Sequence, residues 1–245
     1  MRRALIILIT VLVIAGCVTP ASVNQSNRVG GPDDATGTVG SDASSGSLSR
    51  RQIAIIRAAR EVLETQSTVV GTTTYSYDCS GTILTIYARA GIRLVDLFGS
   101  YRGNGVARLY GIARDYGLLH SKSMPEPGDL IFWDNTYDRN EDGVWNDPLT
   151  HAGLVLSVSA DGQVEYVHHN YRRGIVTARM NLRDPETYKA GDGTVLNSPM
   201  RMASQRSSTS GRWLASQLFK EFASMYLIPA AAASTYGEAT VASLE

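Results

Sequence analysis

Cysteine is scarce in this chain, with only Cys17 and Cys79 among 245 residues. Cys17 ends an apolar run near the N-terminus, whereas Cys79 begins a segment whose apolar residues recur at helical spacing. If Cys17 is used as an attachment point, Cys79 has no partner left for a disulfide. A lone thiol then needs another role, and nucleophilic catalysis is the leading one.

Neither sign of charge is in excess. The chain has 23 Lys and Arg residues against 23 Asp and Glu residues, so its formal net charge is zero. Without a basic excess, neither nucleic acid nor an anionic surface is indicated as a partner. The sequence has no internal repeat. We expect a monomer, although the sequence leaves the oligomeric state open.

Long apolar runs are missing too. The run from Ala4 to Ile14 is shorter than the ~20 residues that a helix needs to cross a bilayer, so we expect no permanent membrane span. The run follows two arginines and ends in small residues before Cys17. This is the layout of a cleavable secretory signal over residues 1–16.

The segment Ile14-Ala15-Gly16-Cys17 resembles the lipobox of bacterial lipoproteins. The resemblance implies that Cys17 becomes the lipidated first residue of the mature protein, whose acyl chains bind a membrane at ~0.8 kcal/mol per buried methylene. Val18 follows the cysteine where some lipoproteins have Asp, which suggests the periplasmic face of the outer membrane. The alternative is an ordinary secretory signal with an incidental cysteine.

Three stretches of different composition follow the signal. Residues 17–47 are rich in small polar residues and lack the apolar residues of a core, which predicts a flexible tether. Residues 48–228 have the length of one globular domain. The alanine-rich residues 229–245 are predicted to form a disordered tail.

Within the domain, helical periodicity comes first and strand-like runs follow. Caps and apolar spacing predict helices over residues 49–65, 80–90, 104–116 and 212–226. Continuous or alternating apolar runs predict strands over residues 129–133, 152–158, 163–168 and 174–180. Helices followed by consecutive antiparallel strands indicate an α+β domain.

Cys79 is predicted to lie at the N-terminus of the second helix. The positive end of the helix dipole and the unpaired backbone N–H groups there favour thiolate over thiol. With a nearby imidazolium, the pKa of such a thiol falls from about 8.5 to ~3.5–7.5. The same N–H groups are placed to stabilise an oxyanion on an attacked carbonyl.

A base is needed beside this thiol, and the chain has four histidines. His151 opens a predicted strand, where it faces a cleft. His168 and His169 end the next strand, and only one of them can reach His151 because adjacent strand residues point to opposite faces. His120 lies in a polar loop and is expected to be solvated surface.

Four segments in this order resemble the signatures of the NlpC family of papain-like cysteine peptidases, which cut bacterial peptidoglycan stem peptides. They are Asp78-Cys79-Ser80-Gly81, Pro127–Trp133, Thr150–Val155 and Tyr166-Val167-His168. The resemblance implies a papain-like α+β fold, with helices packed on a small antiparallel sheet and no cofactor needed for the chemistry. It implies Cys79 as nucleophile, His151 as base and His168 as the orienting residue, which leaves His169 on the opposite face, away from the site.

One part of the family pattern is missing. The family usually has a tyrosine ahead of the cysteine that helps to form the substrate pocket and oxyanion site, whereas this chain has Val69-Val70-Gly71-Thr72. Tyr75 or Tyr77 is a candidate replacement. Tyr77, Asp78 and Ser80 are the predicted substrate-binding residues, and peptidoglycan stem peptides are the expected substrates.

An acidic insertion occupies residues 134–147, where the family has a short connection. Alternating oxygen-bearing residues followed by Gly143 fit the opening of an EF-hand calcium loop, although Leu149 replaces the bidentate glutamate at the twelfth position. The predicted ligands of a structural Ca²⁺ are Asp138, Asn140, Asp142, Val144 and Asn146. Such an ion would stiffen the strand that bears His151. The alternative is a solvated acidic turn.

The sequence therefore predicts a lipid-anchored cell-wall endopeptidase that cuts stem-peptide or crosslink amides. The sequence leaves three alternative functions open. They are a CHAP-type amidase that cuts between muramic acid and L-alanine, a non-catalytic cell-wall-binding lipoprotein, and an acyl transferase on the same fold.

Overall fold

The computed structural model of the protein describes residues 47–122, 124–202, 204 and 211–233. The predicted signal at residues 1–16, the lipidation site Cys17 and nearly all of the tether lie outside these described residues. No described helix combines the length and apolar character needed to cross a membrane.

Four α-helices and eight β-strands make up the described domain. The helices are α1 Arg50–Thr65, α2 Cys79–Arg89, α3 Gly105–Asp115 and the short α4 Ala215–Leu218. The strands are β1 Val69–Val70, β2 Thr73–Thr74, β3 Leu119–His120, β4 Leu130–Trp133, β5 His151–Val158, β6 Gln163–Asn170, β7 Gly174–Asn181 and β8 Phe219–Ala223. Two 3-10 helices, Leu94–Ser100 and Met225–Leu227, complete the set.

Six strands form one antiparallel sheet in the order β3-β8-β4-β5-β6-β7, and β1 and β2 form a separate hairpin. Alternation along each strand sends side chains to two cores. Leu154 of β5 and Val167 of β6 pack with α1, α2 and α3 on one face. Trp133 and Tyr166 pack with α4 on the other face. The α+β fold is therefore as the sequence predicts.

The predicted closing helix over 212–226 is wrong for most of its length. Leu214, Leu218 and Phe222 recur at helical spacing, which favours a helix by pattern alone. The chain instead leaves α4 after one turn and enters the sheet as β8, where Phe222 pairs with Ile131 and is fully buried. Pairing between distant strands overrides the local pattern here.

Two further expectations need correction. The sequence predicts a disordered tail from residue 229, but Ala233 is buried in the helix-side core, and the rest of that predicted tail, residues 234–245, lies outside the described residues. His120 is not solvated surface, because it lies in β3 with its Nε2 3.2 Å from the Asp129 carboxylate. The polar sequence around His120 concealed this partner nine residues away.

Candidate active site

The N-terminus of α2 is held by its capping residue. Asp78 accepts hydrogen bonds from the Gly81 N–H and the Ser80 hydroxyl, both at 2.8 Å through Oδ1. A side chain at position 81 would collide with the backbone of Ser76, since an added Cβ would lie 1.9 Å from its carbonyl oxygen. Glycine is therefore required there, and Cys79 follows as the first helical residue.

The Cys79 side chain is partly exposed in a cleft beside the start of β5. The backbone N–H groups of Ala152, Ser80 and Cys79 itself act to lower the pKa of the thiol. Burial nevertheless raises the pKa of the thiol to about 11, and the charge of Asp78 adds to the rise. The expected fall in this pKa is therefore wrong for the resting site, because desolvation and a neighbouring carboxylate outweigh the helix terminus.

His151 and His168 form a direct pair in the same cleft. Nε2 of His151 lies 2.9 Å from Nδ1 of His168, and the two rings are nearly perpendicular. Trp133 packs beside His151, and Tyr166 packs beside His168. Because Nε2 of His151 is used by this hydrogen bond, its Nδ1 is the atom left for proton transfer with the thiol.

Both members of this pair are neutral at neutral pH. Burial, followed by the charge of His169, lowers the pKa of His151 to about 4. Burial and then the charge of His151 hold the pKa of His168 well below its ordinary value. A single ring N–H therefore joins the two rings. When His151 donates it, His168 fixes the tautomer in which His151 Nδ1 accepts a proton.

His169 lies on the opposite face of β6 from His168, as strand alternation requires, but it also lines the cleft. It contacts the Tyr77 ring edge-on, with centroids 4.7 Å apart. The expectation that His169 lies away from the site is therefore wrong. The reason is that His169 lies on the face of the sheet that packs against α2, and Cys79 is the first residue of α2.

The two tyrosines that were candidates for the missing family residue differ in position. Tyr75 is buried in the helix-side core. Tyr77 lines the cleft, but its hydroxyl donates to the Gln66 side chain at 3.1 Å. Of the other predicted substrate-binding residues, Asp78 lines the cleft, whereas Ser80 faces Asp78 and the start of α3.

The cleft has a volume of about 670 Å³ and two walls of different origin. The start of α2 and the ends of β5 and β6 supply the catalytic candidates. The acidic insertion and the segment after β7 supply the second wall, which consists of Thr136, Tyr137, Asp138, Arg139, Glu141, Pro199, Met200 and Met202. These eight residues were missed as cleft residues because no sequence pattern places their segments next to Cys79.

The base of the insertion is fixed to the sheet. Asn135 and Asp147 join the two ends of the loop, through the Asn135 N–H to the Asp147 carbonyl and the Asp147 N–H to Asn135 Oδ1, both at 2.8 Å. Arg201 donates to the Asn135 carbonyl and stacks over Trp145. Thr136 bonds Thr150, the residue before His151, at 2.9 Å.

The tip of the insertion forms a tight turn around its own carboxylates. Asp138 accepts from the Gly143 N–H at 2.8 Å, and Asp142 accepts from the Val144 N–H and from the Asn140 and Asn146 amides. Within the described ranges, no three His, Cys, Asp or Glu side chains come together as a metal site. Oδ1 of Asp138 and Oδ2 of Asp147 are buried and have no hydrogen-bond partner among the described residues.

Comparison with protein families identifies the family of this chain. The sequence model of the NlpC/P60 family matches residues 66–194, which is more than half of the chain. The chain belongs to the NlpC/P60 family. A comparison with curated proteins found no match. The NlpC/P60 assignment confirms the resemblance drawn from the four segments, and it supports a cell-wall peptidase-type function that acts on peptidoglycan peptides.

Proposed function

We propose that the protein is a lipid-anchored endopeptidase that hydrolyses stem-peptide or crosslink amides of peptidoglycan by nucleophilic catalysis. Cys79 is the nucleophile, His151 the general base and acid, and His168 the residue that orients His151. The observation that supports this most is the His151–His168 hydrogen bond in the same cleft as a thiol at a helix N-terminus.

The pKa directions favour a neutral resting pair over a preformed ion pair. With the pKa of Cys79 raised to about 11 and that of His151 lowered to about 4, neither group is charged at pH 7. The thiol proton therefore passes to His151 Nδ1 as the sulfur–carbon bond forms. The electron pair of the carbonyl moves to its oxygen.

Collapse of the tetrahedral intermediate breaks the carbon–nitrogen bond, and His151 gives its proton to the leaving amine. Water then attacks the thioester with His151 as base, which releases the carboxylic acid and restores the thiol. Throughout, the bond from His151 Nε2–H to His168 Nδ1 stabilises the imidazolium that forms transiently.

Digestion of purified muropeptides tests this proposal. The full-length chain should convert them to products that mass spectrometry identifies as hydrolysed amides, and Cys79→Ala should leave them intact. Products that retain a new amide would indicate acyl transfer. Identical profiles from the wild type and Cys79→Ala would leave only a cell-wall-binding role.

The anchor and location belong to the same proposal and rest on the sequence around Cys17. We expect lipidated Cys17 to hold the enzyme at the periplasmic face of the outer membrane. Replacement of Cys17 by Ala should move the protein from the membrane fraction to the soluble fraction. Retention of the variant in the membrane fraction would contradict a lipid anchor.

A structural Ca²⁺ in the insertion is also proposed, with a role in stability and none in bond cleavage. Support comes from the alternating ligands and from the unpartnered buried oxygens of Asp138 and Asp147. The positive charge of Arg201 acts on both carboxylates and competes with a cation. Asn140 and Asn146 would have to turn their amide oxygens inward, since both now donate to Asp142.

A further inference from the structure

The start of α2 offers few backbone donors to a substrate. The Gly81 N–H is bonded to the Asp78 side chain, and the Thr82 N–H is bonded to the Asp78 carbonyl at 2.9 Å. The Cys79 and Ser80 N–H groups already act on the thiol, where they lower its pKa. An attacked carbonyl develops negative charge on its oxygen and needs donors aimed at that point. A side-chain donor in the cleft would supply what the helix terminus lacks.

Tyr137 is such a donor. It lines the cleft together with Cys79 and His151, and 41 % of its surface is exposed. Its backbone is anchored on one side, because it follows Thr136, which is buried and bonded to Thr150 directly before His151. Tyr137 and His151 therefore each follow directly after one member of the hydrogen-bonded pair Thr136–Thr150.

The hydroxyl of Tyr137 is available, unlike those of the other cleft tyrosines. Tyr77 donates to Gln66, and Tyr171 donates to the Met202 sulfur at 2.8 Å. Within the described part of the chain, Tyr137 makes no such bond. Burial and then the charge of Cys79 raise the pKa of Tyr137, so the phenol keeps its proton. The influence of Cys79 also places the phenol within electrostatic reach of the thiol.

We propose that Tyr137 is a catalytic residue that donates its hydroxyl hydrogen to the carbonyl oxygen of the scissile amide while Cys79 attacks. The inserted loop then supplies part of the oxyanion site as well as one wall of the cleft. This assignment rests on the proposed endopeptidase function. No proton leaves Tyr137 in the step, since the thiol proton goes to His151 and the hydroxyl only strengthens its hydrogen bond.

Tyr137→Phe in the full-length chain is the test, because it removes the hydroxyl and keeps the ring. A lost oxyanion donor typically costs ~10²-fold in kcat, so we expect kcat on a purified muropeptide to fall by about that factor while KM stays within about twofold. Single-turnover formation of the acyl-enzyme should slow equally. Tyr116→Phe is the matched control, because Tyr116 is an exposed tyrosine at the end of α3, outside the cleft. The kcat of this control variant should equal that of the wild type.

The outcomes separate this assignment from the function on which it rests. An unchanged kcat in Tyr137→Phe, or a higher KM alone, would show that the ring only binds substrate and would overturn the assignment. A thermal midpoint equal to that of the wild type shows that any loss of kcat is not unfolding. If the wild type and Cys79→Ala are equally inactive, the endopeptidase proposal fails and the assignment of Tyr137 fails with it.

Discussion

The two walls of the cleft are built in different ways. The catalytic wall uses residues at the starts and ends of regular elements, with Cys79 opening α2, His151 opening β5 and His168 near the end of β6. The second wall consists of residues from the insertion and from a segment after β7. Arg201 of that segment joins the two by contacts with Trp145 and Asn135 of the insertion. The first wall depends on local backbone geometry, and the second depends on contacts between distant segments.

This difference separates the nucleophile and its base from the groups that surround the substrate. A nucleophile and its base need fixed positions, which helix and strand termini provide. Residues that meet the rest of the substrate can vary in loops. Changes in the catalytic wall should therefore reduce turnover, as should loss of the proposed Tyr137 donor, whereas other changes in the insertion should act on stability.

The largest effect is expected from the catalytic wall. His168→Ala removes the partner of His151 Nε2 and leaves that N–H without an acceptor. We expect kcat for muropeptide hydrolysis to fall by about 10²-fold or more, since loss of the orienting member of such a triad costs up to ~10⁴-fold. His168→Asn, whose amide oxygen can accept the same hydrogen, should recover part of the loss.

His169→Ala is the neighbouring comparison, because it removes the ring that faces α2. A loss of less than tenfold is expected, since the Nε2 atom of the His169 ring has no hydrogen-bond partner within residues 47–122, 124–202 and 211–233. An equal loss in His168→Ala and His169→Ala would refute the assignment of His168 as the orienting residue.

The pH profile of kcat/KM tests the neutral pair. His151 accepts the thiol proton only when it is unprotonated, and its pKa is lowered to about 4. Activity should therefore be lost on acidification through about pH 4 and stay level through neutrality, because the thiol pKa of about 11 lies far above. A preformed thiolate–imidazolium pair would instead give a bell between two pKa values.

The same shift affects stability in a definite direction. The pKa of His151 is lower in the folded protein than in the unfolded chain, where it is near 6.5. The unfolded chain therefore binds more protons between these values. The free energy of unfolding should fall as pH decreases from about 6.5 to about 4, which denaturation at a series of pH values measures.

Much of the catalytic wall could be predicted from the sequence because its signals are local. Asp78 is a cap, Gly81 is required by the Ser76 carbonyl, and Gly153 makes room for the Trp133 ring, which would lie 3.1 Å from an added Cβ. These constraints leave recognisable segments around Cys79 and His151. The helices and central strands could be predicted for the same reason, because the spacing of apolar residues along the sequence depends on the local secondary structure.

The remainder depends on partners that are far away in the chain. Strand β8 forms because its residues pair with β4, as Phe222 does with Ile131. His120 is withdrawn from solvent beside the carboxylate of Asp129. The thiol pKa was predicted in the wrong direction because desolvation depends on everything packed around Cys79. The position of Tyr137 in the cleft with Cys79 could not be predicted, because nothing near Tyr137 in the sequence indicates that its loop lies there.

Two glycine substitutions compare the walls by stability. Gly81→Ala forces a side chain against the Ser76 backbone, and such overpacking costs about 1–3 kcal/mol or more in the free energy of unfolding. Gly143→Ala in the insertion meets no atom within 4 Å, but its φ of +73° is unfavourable for alanine by about 1–2 kcal/mol. Chemical denaturation should rank Gly81→Ala as the more damaging change. The reverse order would mean that the insertion contributes more to stability than the start of α2.

The smallest effect is expected from calcium in the insertion. An ion that binds only the folded loop stabilises the protein by mass action, and about 1 kcal/mol corresponds to a rise of about 2–4 °C in Tm for a domain of this size. Millimolar CaCl₂ should produce that rise in the wild type and EDTA should reverse it, with kcat nearly unchanged. Asp138→Asn keeps the shape of the turn but weakens a ligand with an unpartnered buried oxygen, so its Tm should not respond. If calcium also leaves the wild-type Tm unchanged, the calcium site is refuted. The insertion is then an acidic turn in which the charge of Arg201 balances Asp138 and Asp147.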